Sequence, residues 1–105
     1  MTDLHHKLRR IEEALHDEWF ALSAVQYNEA DHEVRIPFTE RGLTLVVRGA
    51  RRMFIDDREK VDLYDLNRLE FNPTRAELTI HTGVPLGFTI AVDDLKVLIE
   101  EEELR

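Results

Sequence analysis

The 105-residue sequence predicts a single α+β domain: an N-terminal helix, about seven antiparallel strands, and a second short helix at the C-terminus. Three observations carry that reading. Apolar residues recur with a helical period near the N-terminus, the period changes to two from Trp19, and polar or Gly/Pro clusters then return at strand-length intervals.

Leu4, Leu8, Ile11 and Leu15 follow one another at spacings of four, three and four, which lines them along one helix face. Lys7, Arg9, Glu12 and Glu13 fill the solvent side, and Thr2 or Asp3 is placed to cap the start. Such a helix packs on a sheet or, as the alternative, serves dimerisation. "WFALSAVQY" and "EVRIPF" then flank the polar turn "NEADH", which predicts a hairpin. Val34, Ile36 and Phe38 alternate toward a core, whereas Pro37 removes a ladder donor and so belongs at a sheet edge or a bulge. The next strand, "LTLVVR", is apolar on both faces, with Leu43, Leu45 and Val47 on one and Val46 on the other. A strand of that kind is covered on both sides or lies in a strongly curved sheet.

Gly49 and Ala50 suit a two-residue type II′ turn, because its first central position needs a positive φ. In that reading "RMFID" runs back along "LTLVV", with Arg48 and Arg51 on one face and Arg52 on the other. "LNRLEF", "ELTIHT" and "FTIAV", joined by "NPTR" and "GVPLG", complete a three-stranded meander. Asp93 is a credible N-cap for the last helix, whose apolar face is Leu95, Leu98 and Ile99. Residues 100–103 are all glutamate, and negative charge at a helix C-terminus opposes the dipole, so that end is expected to fray. Seven strands in meander order closed by a C-terminal helix are similar in architecture to a pleckstrin-homology-like half-barrel. A flat or bent open sheet with both helices on one face fits the same element order.

With 22 Asp and Glu against 14 Lys and Arg, the formal charge is −8. That balance argues against general nucleic-acid binding, which draws on basic side chains meeting phosphates, and against anionic membrane surfaces. The absence of cysteine excludes a disulfide framework, thiol catalysis and cysteine-held metals, and fits a cytoplasmic protein. The N-terminus is too polar for a signal peptide, and no stretch has the roughly 18 apolar residues of a membrane span. The apolar content is enough for a core without metal or disulfide.

Catalytic chemistry finds little material. The one serine, Ser23, lacks flanking glycines and is expected on a strand. No Gly-rich loop precedes Lys7, Lys60 or Lys96, so phosphate-loop and dinucleotide motifs are absent. The histidines His5, His6, His16, His32 and His81 are not spaced to chelate together, and Asp56, Asp57, Asp62 and Asp65 do not follow a calcium-loop pattern. No catalytic, cofactor or metal site is expected. Arg48, Arg51 and Arg52 are the one local charge reversal. They offer guanidinium forks to an anionic ligand or an acidic partner, or else form a solvated hairpin tip pairing with Glu40, Asp56 or Asp57. The leading function is a non-enzymatic protein-interaction or assembly module with a protein partner or a second copy of the chain. The alternatives are a binder of small anions or lipid headgroups using the basic tip, and an acidic inhibitor that presents residues 100–103 to a basic target.

Overall fold

The computed structural model describes residues 2–101. The chain runs through α1 (Thr2–Leu15), β1 (Trp19–Ala21), a 3-10 turn (Leu22–Ala24), β2 (Gln26–Asn28), β3 (Glu33–Phe38), β4 (Leu43–Asp56), β5 (Leu63–Asn72), β6 (Glu77–Thr82) and β7 (Gly87–Glu101). The seven strands form one antiparallel sheet in the order β1-β5-β6-β7-β4-β3-β2. Two local meanders, β2-β3-β4 and β5-β6-β7, are thus joined through β4 and β7, so the sheet is not the single sequential meander that the sequence suggests.

The ends of that order determine the shape. β1 and β2 are the outermost strands, yet only residues 22–25 separate them in the chain. Laid flat, seven strands would set the outer two about 29 Å apart at ~4.8 Å per spacing. The link from Ala21 to Gln26 reaches at most about 18 Å even when fully extended. The sheet therefore curls until its two edges approach across the 3-10 turn. What reads in the sequence as one strand, "WFALSAVQY", is split there, with its first part on β5 and its second on β3.

Helix α1 forms where the apolar stripe predicts it. Leu8, Ile11 and Leu15 are buried and join a core with Phe20, Ile36, Phe38, Leu45, Tyr64, Phe88 and Ile90 from the strands. Asp3 lies inside the helix rather than capping it and complements the dipole in the first turn, and the Thr2 side chain lies outside the described ones. The helix stops as Asp17 turns left-handed at φ 64°. The Asp17 N–H then donates to the Leu66 carbonyl, and the Leu69 N–H donates to the Glu12 carboxylate at 2.7 Å, which fixes the helix along β5. Phe20 is the centre of the aromatic core. Its ring meets Phe38 edge-on at 5.5 Å and lies 6.3 Å from both Tyr64 and Phe88, linking β1 to β3, β5 and β7.

Two expectations are corrected. Gly49 has the positive φ that was anticipated, 86°, but it makes a bulge and not a hairpin turn. β4 continues through it as one 14-residue strand, and the His32 carbonyl accepts from both the Gly49 and Ala50 N–H groups at 2.9 Å. The second correction concerns residues 93–99, which are strand rather than helix. Leu95, Val97 and Ile99 alternate as well as Leu95, Leu98 and Ile99 repeat, and pairing with Leu43–Arg48 satisfies their main chain on β4. Asp94, at φ 51°, makes the irregularity opposite Gly49, so β4 and β7 bend together. Among the described residues α1 is the only α-helix, and residues 102–103 of the glutamate run lie outside them. Pro37 sits as expected, on the part of β3 beyond the last β2 pair at Arg35.

Two outcomes follow from this packing. Leu15→Ala should cost ~2–5 kcal/mol in chemical denaturation, because Leu15 is wholly buried between helix and sheet; an unchanged midpoint would mean that α1 is not docked. Gly49→Ala should cost at least ~1–3 kcal/mol from the left-handed backbone alone. A Cβ there would also lie 2.1 Å from the Asp93 carbonyl oxygen, so the same measurement is expected to exceed that range.

Candidate functional site

The three arginines singled out from the sequence are dispersed. β4 turns Leu45, Val47 and Ala50 into the core, so Arg48 emerges on the convex face between its strand neighbours Glu33 and Lys96. Its guanidinium is held by carboxylates, with Nε 3.2 Å from Glu33 and Nη2 3.9 Å from Glu100. Arg35 binds the same two residues, at 3.2 Å from Glu33 and in closer contact with Glu100. Arg35 and Leu98 are the strand partners of Val46, which is completely buried although it points away from the core. Glu33, Glu100, Arg35 and Arg48 form one ion-pair group, and Arg48 has a structural partner set. Glu40, Asp56 and Asp57 are not its partners.

Arg51 occupies the bulge and reaches Asp93 at 3.4 Å. Arg52 lies opposite Ala91, next to Phe54, and has no ion pair within 4 Å among the described residues. Together with Arg75 these two arginines line an open cleft of about 500 Å³ in which Glu77 also sits. Arg48 is not part of it.

Sequence reasoning missed a second surface. In β1 and β5 the register sets Phe20 against Tyr64, both fully buried, and Ala21 against Leu63. Alternation sends Trp19, Ala21, Leu63 and Asp65 to the outward side. Trp19 is 42% exposed and Leu63 54%, and Val61, just before the strand, is 52% exposed. The loop that carries Val61 is held firmly. Asp62 accepts from Ser23 N–H at 2.8 Å and Ser23 Oγ–H at 3.0 Å, and its carbonyl accepts from Leu22 N–H at 2.7 Å. Ser23 therefore lies on the 3-10 turn and not on a strand, where it staples the sheet seam. The Tyr64 hydroxyl donates to Asp57 at the other end of the loop, and this bond together with burial raises the phenol above its ordinary pKa.

Carboxylates are concentrated in the same chain segments, one of them, Glu18, being 3.9 Å from Arg41. Residues 17–18 and 57–65 contain Asp17, Glu18, Asp57, Glu59, Asp62 and Asp65 against Arg58 and Lys60, a net −4 of the chain's −8. The signal in the sequence is the short alternation W-F-A, which puts Trp19 opposite in direction to Phe20.

Among the described residues no three His, Cys, Asp or Glu side chains gather as a metal site would need. His81 instead pairs with Glu70 at 2.9 Å on the convex face, with Arg68 3.6 Å from the same carboxylate. The His81 hydrogen bond and then the Arg68 charge lower the Glu70 pKa. No helix is long and apolar enough to cross a membrane. No family model, curated protein or solved structure matches the chain.

The ion-pair group predicts an acid response. Partial burial pushes the Glu33 carboxyl upward, but the hydrogen bonds and charges of Arg48 and Arg35 outweigh it and hold the pKa below its ordinary value. A depressed folded value means that the stabilisation is complete above the ordinary range near ~4.3 and is lost as pH falls through the folded value. Glu33→Gln should therefore lower the melting temperature at neutral pH, with the gap to wild type closing below about pH 4. A gap that stays constant down to acid pH would assign the effect to packing.

Proposed function

We propose that this chain is a non-enzymatic protein-interaction module that docks a partner on the outward face of β1 and β5. One observation carries the reading: Trp19, Val61 and Leu63 stay exposed together, directly outside the tightly packed pair Phe20 and Tyr64. Exposed apolar groups rimmed by charge mark interaction surfaces, and tryptophan is enriched among the residues that dominate binding. The acidic rim selects a partner that is basic around an apolar centre. In this reading the chain acts as an acidic binder of a cationic protein through residues 17–18 and 57–65, and not through residues 100–103. Glu100 is already engaged by Arg35.

A second reading, binding of a small anion, is favoured by the cleft of Arg51, Arg52 and Arg75 beside Phe54. Glu77 and Asp93 supply competing negative charge there. The lipid-headgroup form of it would draw on a pleckstrin-homology-like half-barrel, whose terminal helix has no counterpart among the described residues. A cytoplasmic location suits either reading, given a chain without cysteine.

Affinity capture on the immobilised full chain tests the docking face, with Leu63→Glu and Trp19→Ser as variants. Both positions are substantially exposed, so the variants should melt as wild type does. Loss of a central tryptophan typically costs ~2 kcal/mol or more, about thirtyfold in affinity, so captured proteins should wash off both variants. Trp19 is the chain's one tryptophan, and its emission should shift to the blue on binding. A set of captured proteins that survives both substitutions would place the docking surface elsewhere.

A further inference from the structure

β4 is flanked on both sides for only half its length. β7 follows it from Leu43 to Asp56, whereas β3 pairs with Leu43 to Arg48 and ends there. Beyond the bulge the Arg51 carbonyl still accepts from the Tyr27 hydroxyl at 2.5 Å, and after that point the strand has no neighbouring strand on the β3 side among the described residues.

Backbone alternation determines which groups that edge presents. The Val92 N–H donates to the Ala76 carbonyl at 2.9 Å, away from β4. Ala91, Thr89 and Gly87 must then turn their main-chain groups toward β4, where they face Arg52, Phe54 and Asp56. Met53 and Ile55 are left with N–H and C=O groups directed at the open edge. The apolar side chains here are also in contact with solvent, Phe54 at 49% and Ile55 at 38%.

The edge reads Arg51-Arg52-Met53-Phe54-Ile55-Asp56-Asp57. Within β4 the stretch from Arg52 to Asp56, a cation, three apolar residues and an anion, complements itself when reversed. We infer that this edge pairs with the same edge of a second copy, antiparallel about a two-fold axis at Phe54. Arg52 then lies opposite the second copy's Asp56 and Met53 opposite its Ile55, while Asp57, past the end of β4, stays with the Tyr64 hydroxyl and the Lys60 N–H. The backbone favours the same register, because Met53 and Ile55, whose main-chain groups point outward, become a hydrogen-bonded pair on each side of the axis.

Registers displaced by one step that keep this parity fail on charge. Centring on Met53 sets Arg51 against Ile55 and Arg52 against Phe54. Centring on Ile55 sets Met53 against Asp57 and Arg52 against Arg58. The contact that Asp56 makes within one copy, to Arg58 at 3.0 Å, is between exposed side chains and can exchange. The interface is isologous, as a two-fold dimer requires, and joins two sheets into one across it. It covers an edge that would otherwise recruit strands without selectivity. The Trp19 face lies on β1 and β5, outside this contact, so the dimer and the docking surface stand or fall separately.

Sedimentation velocity of the full chain over a wide concentration range tests the dimer. Wild type should pass from monomer to dimer as concentration rises. Arg52→Asp and Asp56→Arg should each remain monomeric while melting as wild type does, since each sets like charges opposite one another. Mixed in equal amounts they should form a heterodimer, because each edge now complements the other. The chain has no cysteine, so Phe54→Cys places a single thiol on each copy. The two lie on the axis in a non-hydrogen-bonded pair with Cα atoms about 4.5 Å apart, within disulfide reach. Mild oxidation should cross-link that variant and spare Glu13→Cys on the solvent side of the helix. A wild type that stays monomeric into the high-micromolar range overturns the inference. So does a dimer that both charge variants retain.

Discussion

The covalent link across the seam governs this structure. β1 and β2 sit at opposite ends of a seven-strand order, yet four residues join them, so no flat version of the sheet exists. Curling brings β1 close enough for Phe20 to touch aromatic rings from three other strands. Asp62 then fastens the 3-10 turn from outside while Phe20 fills it from inside. The bend is continued by β4 and β7, whose irregularities at Gly49 and Asp94 fall opposite one another, so two long strands turn the same corner in step.

Charge in this chain is used locally rather than as a uniform coat. Glu33, Arg35, Arg48 and Glu100 form one group, with each guanidinium shared between two carboxylates. The Glu100 hydrogen bond is the largest influence on Arg35 and raises its pKa. Half of the net negative charge lies instead in residues 17–18 and 57–65, where Arg41 reaches only Glu18, at 3.9 Å. Structural pairing and an unbalanced rim are thus separated on the surface, which is why the two regions carry different readings.

Several elements were legible because their cues are local. The stripe Leu4, Leu8, Ile11 and Leu15 specifies α1, Pro37 marks the open part of β3, and the Asn72-Pro73 turn defines the β5–β6 hairpin. The Asn72 side chain accepts from the Thr74 and Arg75 N–H groups there, as turn chemistry leads one to expect. What failed depended on distant partners. A glycine with positive φ serves a hairpin tip or a bulge equally well, and only β7, some forty residues later, decides for the bulge at Gly49. "DDLKVLIEE" satisfies a helical and a strand period at once, and the free edge of β4 settles it as strand. Arg48 looked available because Glu33 and Glu100 are remote in sequence.

The seam also orders events in time. β1 has its strand partner only in residues 63–65, and Phe20 takes two of its rings from Tyr64 and Phe88. The β2-β3-β4 hairpins need nothing beyond Arg48, so they can form while the rest of the chain is still being made. Contacts of long sequence separation close late, since loop entropy must be met before they contribute. The first strand in the chain is therefore among the last to dock, and a nascent chain carries Phe20 unburied until most of its successors have emerged.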